Sequence, residues 1–273
     1  MVTMRRIAFK KIGLAIACFA MTACGNGGNG GSGSKEGAAI EFQPVKCEKS
    51  AKIIDADNAP ACSVHIELQE AKGSQEAVAK AINETVIEEL LEMNQLTMQQ
   101  AVDSFANKYA STYRHDFAQL YKEDASSPDS RAWYEYYYNI ISEVRKGRNG
   151  TIVYIANTDY YEGGAHGLNF QTVLNFEPST GKLLKLDDIF VPGYEKPLTD
   201  LLLQALYEET ETENLDELHD KGFLYDMEMY PAYNFILGSG GVTFVYAPYE
   251  IAPYSEGIIE LTIDYGQLEK ILK

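Results

Sequence analysis

Two stretches of the chain concentrate residue types that could bind a ligand or do chemistry. Each follows a strand-like run and combines tyrosines and a titratable side chain with glycine or proline, at residues 160–167 and 245–254. If the two loops meet, His166 and Glu250 could share a proton or a ligand, as acid/base chemistry requires. The candidate ligand-binding residues are Tyr160, Tyr161, Gly163, Gly164, His166, Tyr249, Glu250 and Tyr254.

The sequence leaves three interpretations of these loops open. Tyrosine rings stack on sugars or protein loops and their hydroxyls form hydrogen bonds, so the first is a binding surface without catalysis. The second is an envelope polysaccharide-modifying enzyme that uses His166 and Glu250. The third is a structural role, in which the glycines form tight turns, His166 caps backbone carbonyls and Glu250 accepts hydrogen bonds from loop amides.

Signatures of common enzyme classes do not accompany the loops. The sequence contains no HExxH motif, no spaced histidine cluster and no Ser/His/Asp signature. An oxygen-rich cation site for the enzyme interpretation would need Asp159 and Glu162 together with Asp187 or Asp188. We therefore assign no catalytic residue and expect neither a metal ion nor a cofactor.

The N-terminus has the features of a secretory signal. Four basic residues precede a short apolar run and small residues before Cys24, and the run is too short to span a bilayer. Residues 1–23 fit a lipoprotein signal peptide with Cys24 as the lipidated residue, and an ordinary cleaved signal is the alternative. Residues 24–38 form a Gly/Asn/Ser-rich tether. We expect a cell-envelope protein outside the cytoplasm, held to the membrane by its N-terminal lipid, in the outer membrane if Gram-negative.

The charge of the chain restricts its partners. The formal net charge is −17, and removal of the four basic residues of the signal peptide brings it to −21. Nucleic acid is excluded as an expected partner, because phosphate binding needs a basic surface. A neutral glycan, a cation or a basic protein remains possible, and a solvated acidic surface that only maintains solubility explains much of the charge.

Three further side chains carry predictions. Cys47 and Cys62 lie in the first part of an exported domain, so we expect a disulfide between them. Zinc is disfavoured, since two cysteines do not complete a tetrahedral site. Trp133 is the only tryptophan, and we expect it in the core.

The periodicity of the chain predicts the elements that position the loops. Apolar and polar residues alternate at 61–69, as in a strand with one wet face, whereas residues 78–90 and 97–122 carry helical apolar stripes. An antiparallel meander follows, with strands at 131–146, 151–161 and 168–176. Later segments predict an amphipathic helix, a hairpin, a strand and a terminal helix, at 198–206, 234–246, 258–264 and 267–272. This order indicates an α+β fold with mainly antiparallel sheets, helices packed on one face, and two closely packed subdomains.

Several of these segments together resemble a known family. They are Gly163-Gly164-Ala165-His166-Gly167, Leu186-Asp187-Asp188-Ile189-Phe190, Gly241-Val242-Thr243-Phe244-Val245-Tyr246 and Tyr249-Glu250-Ile251-Ala252-Pro253-Tyr254. The sequence resembles the extracellular RsiV-type domain, a domain of unknown function, at residues 149–273, preceded by a PdaC-type domain at residues 39–148. The C-terminal half carries the specific matches.

The resemblance implies an extracytoplasmic ligand. One member of the family is an anti-sigma factor whose outer domain binds lysozyme, and another is attached to a peptidoglycan deacetylase. It therefore implies peptidoglycan, another glycan or a lysozyme-like protein as partner. We expect a lipid anchor here where the anti-sigma factor has a transmembrane helix, and the deacetylase activity does not carry over.

Overall fold

The described part of the chain forms eight strands and six α-helices, and the strands make up two sheets. The computed structural model describes residues 40–124 and 130–273, so the predicted signal peptide, the tether and Cys24 lie outside the described residues. The strands are β1 (Glu41–Lys52), β2 (Ala61–Lys72), β3 (Tyr136–Lys146), β4 (Ile152–Tyr161), β5 (Leu168–Phe176), β6 (Phe235–Leu237), β7 (Gly241–Tyr246) and β8 (Ile259–Asp264). The helices are α1 (Glu76–Leu91), α2 (Met98–Asp124), α3 (Leu186–Ile189), α4 (Glu195–Thr210), α5 (Leu215–Asp220) and α6 (Tyr265–Leu268).

The larger sheet contains β1 to β5 in sequence order. Strand β3 pairs parallel with β2, whereas the other neighbouring pairs are antiparallel. Parallel neighbours need a long crossover, and α1 and α2 form it. The meander β3–β4–β5 is confirmed. This sheet continues across position 148, where the sequence predicts a boundary between subdomains.

One face of the larger sheet packs against α1 and α2. The alternation predicted for β2 places Val64, Ile66 and Leu68 in the core, each at most 2% exposed. These side chains pack with Ile82 and Val102, which lie on the apolar stripes of the two helices. The apolar faces of both element types are therefore buried against each other, because neither can bury its face alone.

The smaller sheet, β6–β7–β8, lies against the other face of the larger one. Val245 of β7 packs with Val153, Ile155 and Val173 of β4 and β5. The opposite side of the smaller sheet joins α4 in a second core. The order of layers is therefore helix, sheet, sheet, helix. The predicted α+β class, with mainly antiparallel sheets and helices on one face of each, is confirmed.

Two asparagine side chains connect the sheets. Asn175, which is 1% exposed, donates from Nδ2 to the Phe235 carbonyl at 2.6 Å and accepts from the Leu237 amide at 3.1 Å. Asn234 accepts from the Val173 amide at 2.8 Å and donates to the Gln171 carbonyl at 2.7 Å. Asn175 thus pairs backbone groups at the edge of β6, and Asn234 pairs backbone groups at the outer edge of β5, so these groups are not left unpaired.

Residues before β3 differ from the prediction. We expected a strand from residue 131, but Ser130–Tyr134 forms a 3-10 helix and β3 begins at Tyr136. The prediction that Trp133 lies in the core is wrong, since it is 63% exposed. A 3-10 helix repeats about every three residues, so its side chains do not alternate between two sheet faces as those of a strand would.

The predicted disulfide between Cys47 and Cys62 is wrong, because both cysteines are free. In the β1–β2 ladder Cys47 faces Ile66, and Cys62 faces Ala51. The two cysteines are thus offset by four ladder positions, or roughly 13 Å along the strands. A disulfide needs Cα atoms within about 7 Å. Burial raises the pKa of both thiols, which disfavours the reactive thiolate.

Candidate functional site

The first candidate loop reverses the chain between β4 and β5. Gly163 has φ +84°, a conformation that side chains disfavour. A Cβ on Gly163 would lie 3.2 Å from the Trp133 carbonyl oxygen and from the Tyr136 hydroxyl. The loop therefore packs directly on the 3-10 helix that precedes β3. Tyr161, the last residue of β4, donates from its hydroxyl to the Gly164 carbonyl at 3.0 Å.

The second candidate loop follows β7 and is closed by its own carboxylate. The Glu250 amide donates to the Ala247 carbonyl at 3.0 Å, and the Ala247 amide donates to Glu250 Oε2 at 2.7 Å. Between them, Tyr249 adopts φ +71° and is 60% exposed. A non-glycine residue in this region is uncommon, and here the surrounding hydrogen bonds hold it.

The two loops meet through aromatic rings. The imidazole of His166 stacks on the Tyr254 ring, with 3.8 Å between centroids and 17° between planes. His166 Nε2 is 3.1 Å from the Tyr249 hydroxyl. The Gly167 carbonyl accepts from Tyr254 at 2.8 Å and lies 3.0 Å from His166 Nδ1. Because a carbonyl only accepts, Nδ1 carries the proton, and in neutral imidazole Nε2 is left to accept from Tyr249.

Glu250 does not join this cluster. Its Oε1 accepts from the Tyr230 hydroxyl at 2.5 Å, while Oε2 is occupied by the Ala247 amide. Burial and the neighbouring carboxylate raise the pKa of Tyr230, which keeps its hydroxyl protonated as the donor. Among the described residues no hydrogen bond connects Glu250 to His166. The structure thus brings the loops together but does not form the expected pairing of imidazole and carboxylate.

Tyr160 and Tyr161 point to opposite faces of the larger sheet, since consecutive strand residues alternate. Tyr160 stacks on Tyr138, with 5.4 Å between centroids, on the face that α2 covers. Tyr161 stacks on Tyr137, with 6.2 Å between centroids, on the other face. Of these two candidate residues, only Tyr161 lies on the face of the larger sheet that α2 does not cover, and its hydroxyl contacts the first candidate loop.

Tyr137 is a site residue that the sequence analysis did not include. A Cβ on Gly167 would lie 2.9 Å from the Tyr137 hydroxyl, so Gly167 connects Tyr137 to the His166 cluster. The Tyr137 hydroxyl donates to Asp159 Oδ1 at 3.3 Å. Burial, Asp159 and Tyr254 raise the pKa of Tyr137. Pairing of Tyr137 with Tyr161 across β3 and β4 is the signal that would have identified it.

We call the resulting patch the aromatic surface. Its rings form two groups, Tyr137 with Tyr161 and His166 with Tyr249 and Tyr254, which Gly167 connects, and His166 and Tyr249 are exposed. The two loops that frame it, residues 160–167 and 247–257, contain no Lys or Arg. The aromatic surface consists of Tyr137, Tyr161, His166, Tyr249 and Tyr254.

The acidic residues proposed for a cation site are dispersed. Asp188 accepts from Lys182 Nζ at 2.6 Å and from the Lys185 amide at 3.0 Å, and these bonds lower its pKa. Asp159 is engaged with Tyr137. Within residues 40–124 and 130–273, no group of three or more His, Cys, Asp or Glu side chains could hold a metal ion. In the same ranges, no helix is both long and apolar enough to cross a bilayer.

Comparisons identify relatives of this architecture. The model of the DUF3298 family, described as a protein of unknown function, matches residues 187–266. A DUF3298 family member from Bacteroides fragilis NCTC 9343 has a crystal structure that aligns with a TM-score of 0.80 and 31% identity, over 86% of this chain and 94% of that chain. A DUF3298 family protein from Pseudomonas aeruginosa PAO1 shares the fold, with a TM-score of 0.57 and 19% identity over 86% and 94% of the two chains. No curated protein sequence matches the chain. Given 31% identity over most of both chains, this protein belongs to the DUF3298 family.

Proposed function

We propose that this protein binds an extracytoplasmic glycan, such as a peptidoglycan strand, through the aromatic surface and without catalysis. The observation that carries the proposal is the stack of His166 on Tyr254 beside exposed Tyr249. Flat rings with polar rims suit sugars, whose apolar faces stack on rings while their hydroxyls form hydrogen bonds. The stack is held by bonds to the Gly167 carbonyl, so little ordering accompanies binding.

The charge around the aromatic surface supports a neutral ligand. The framing loops contain Glu162, Glu250 and Glu256 but no Lys or Arg. An anionic polymer would meet repulsion there and would find no Lys or Arg in these loops to pair with. The uncharged sugar backbone of a glycan strand avoids this repulsion, and its hydroxyls would donate to the carboxylates that remain accessible.

The hydrogen bonds of Glu250 favour binding over catalysis. An acid/base mechanism with His166 would need a carboxylate free to exchange a proton. Both oxygens of Glu250 are instead committed to Tyr230 and to the Ala247 amide. The polysaccharide-modifying enzyme therefore stays the weaker proposal, and a purely structural envelope protein is what remains if no ligand binds.

The cellular setting of the proposal comes from the sequence. Residues 1–23 and Cys24 suggest a lipid anchor in the cell envelope, with residues 24–38 as the tether. An RsiV-like domain at residues 149–273, preceded by a PdaC-like domain at residues 39–148, is the finer family assignment that we propose. In a Gram-negative cell the anchor would lie in the outer membrane.

A basic, lysozyme-like protein is the second candidate ligand. The formal charge of −17, or −21 without the signal peptide, favours attraction of a cationic protein. Such attraction raises the association rate more than it determines specificity, and it weakens with salt. Binding of lysozyme that disappears at high salt and persists in aromatic-surface variants would reflect charge alone.

Co-sedimentation with insoluble peptidoglycan tests the proposal. We expect retention of the wild type and its loss in His166→Ala and Tyr254→Ala. His115→Ala is the matched control, because His115 on α2 is exposed, with 87% of its side chain accessible, and lies outside the aromatic surface. Equal retention of all four proteins, or none by the wild type, would refute a glycan-binding role for this surface.

A further inference from the structure

Trp133 is an exposed aromatic side chain on a firmly held backbone. It is the only tryptophan in the chain and is 63% exposed. The Tyr134 carbonyl accepts from the Tyr113 hydroxyl at 2.7 Å, and Tyr134 donates to Asp124 at 2.6 Å. Burial of a large aromatic side chain would stabilise the fold, and this position forgoes most of that contribution. Exposed tryptophans at rigid positions are typical of binding surfaces.

The position of Trp133 connects it to the first candidate loop. Its carbonyl oxygen lies 3.2 Å from where a Cβ on Gly163 would be. The 3-10 helix leads directly into β3, and there Tyr137 pairs with Tyr161 of the aromatic surface. The Trp133 backbone and the aromatic surface therefore lie at the same end of the larger sheet, with the Trp133 carbonyl against the Gly163 loop.

Charges near Trp133 also favour a neutral ligand. The neighbouring cation, Arg131, is paired with Glu135 at 3.2 Å. In the first candidate loop, Glu162 is exposed, and its carboxylate lies near Tyr109 and Tyr136, where burial and this carboxylate raise the pKa values of both hydroxyls. An anionic chain would thus meet a carboxylate and find no unpaired basic group among these residues, whereas a neutral chain would meet no charge repulsion.

We propose that Trp133 forms a second subsite of the glycan surface, separated from the aromatic surface by the Gly163 loop, so that the ligand is a neutral polysaccharide of several sugar units rather than a single sugar. This inference rests on the proposed function. Within the aromatic surface, the centroids of neighbouring rings are 3.8 to 6.3 Å apart, so one sugar unit is enough to cover a pair of them. A ligand that also reaches past Gly163 to Trp133 must therefore exceed one sugar unit.

The single tryptophan makes the subsite directly observable. We would titrate the wild type with N-acetylglucosamine oligomers, from disaccharide to hexasaccharide, and follow both tryptophan emission and calorimetric affinity. We expect emission to change only with the longer oligomers. Because Trp133→Ala removes the stacking ring, it should weaken hexasaccharide binding about tenfold, which corresponds to about 1.4 kcal/mol. Disaccharide affinity should not change, and Trp133→Phe should restore most of the loss.

His166→Ala separates failure of the subsite from failure of the proposed function. We expect this variant to weaken binding of every oligomer, and His115→Ala to weaken none. If His166→Ala abolishes binding while wild-type emission stays constant and Trp133→Ala binds the hexasaccharide normally, the subsite is refuted and the proposed function stands. If the wild type binds no oligomer, both are refuted for this glycan class. An emission change with a basic protein but with no oligomer would refute the polysaccharide assignment.

Discussion

The carboxylate of Glu250 is predicted to stabilise the fold and not to contact the ligand. Glu250→Ala removes two hydrogen bonds to a charged acceptor, one from Tyr230 at 2.5 Å and one from the Ala247 amide at 2.7 Å. Bonds of this kind contribute about 1.5–3 kcal/mol each, and water reaches this half-buried turn. We therefore expect a loss of about 2–3 kcal/mol in the free energy of unfolding, or roughly 5–10 °C in Tm.

Conservative variants sharpen this prediction. The amide oxygen in Glu250→Gln can still accept from Ala247, and its NH2 group can donate to the Tyr230 hydroxyl after rotation, so we expect a loss of only about 1 kcal/mol. His166→Ala removes an exposed stack and should cost about 1 kcal/mol. A double-mutant cycle of Glu250→Gln with Tyr230→Phe should show a coupling energy, because the two groups are in direct contact.

Two measurements on the same variants test whether Glu250 stabilises the fold or contacts the ligand. Urea unfolding gives the free energies, provided that the m-value does not change between variants. Peptidoglycan co-sedimentation gives binding. We expect Glu250→Gln to bind like the wild type and His166→Ala to lose binding with little loss of stability. A stable Glu250→Gln that no longer binds would refute this reasoning and return Glu250 to the ligand site.

Three other predictions concern the framework of the site. Asn175→Leu should lower the free energy of unfolding by about 2–4 kcal/mol in urea, because the Phe235 carbonyl and Leu237 amide lose their buried partner; a loss below about 1 kcal/mol would contradict this. Gly167→Ala should weaken peptidoglycan retention, since its Cβ would lie 2.7 Å from the Tyr160 carbonyl oxygen and the loop must shift to make room. Unchanged retention would show that this shift does not disturb the aromatic surface. Burial raises the pKa of Tyr154 to about 12, from about 10 when unfolded, so its stabilising contribution is complete below pH 10 and is lost as pH rises toward 12. Urea unfolding between about pH 9 and pH 12 should show this loss, and a free energy of unfolding that stays constant through pH 12 would contradict the prediction.

Local patterns in the sequence predicted most of the elements correctly. The alternation at residues 61–69 became β2, and the helical stripes became α1 and α2, because burying an apolar face needs only the right period. The meander also followed from local signals, since short turns connect antiparallel neighbours. The sequence raised the possibility that the two candidate loops meet, and they do so through His166 and Tyr254 rather than through His166 and Glu250. The boundaries failed where a 3-10 helix replaced the start of the predicted strand.

The sequence alone determined the residue types at the site, the absence of Lys and Arg from its two loops, and the strands that these loops follow. Tertiary structure alone decided which partner each side chain found. Tyr230, twenty positions away in the sequence, donates a hydrogen bond to the Glu250 carboxylate. The β1–β2 register separates Cys47 from Cys62, and Trp133 is exposed while its carbonyl lies next to Gly163. Periodicity specifies which face of an element is buried, but the partner across a contact depends on strand register and loop packing between distant segments, and no local pattern encodes these.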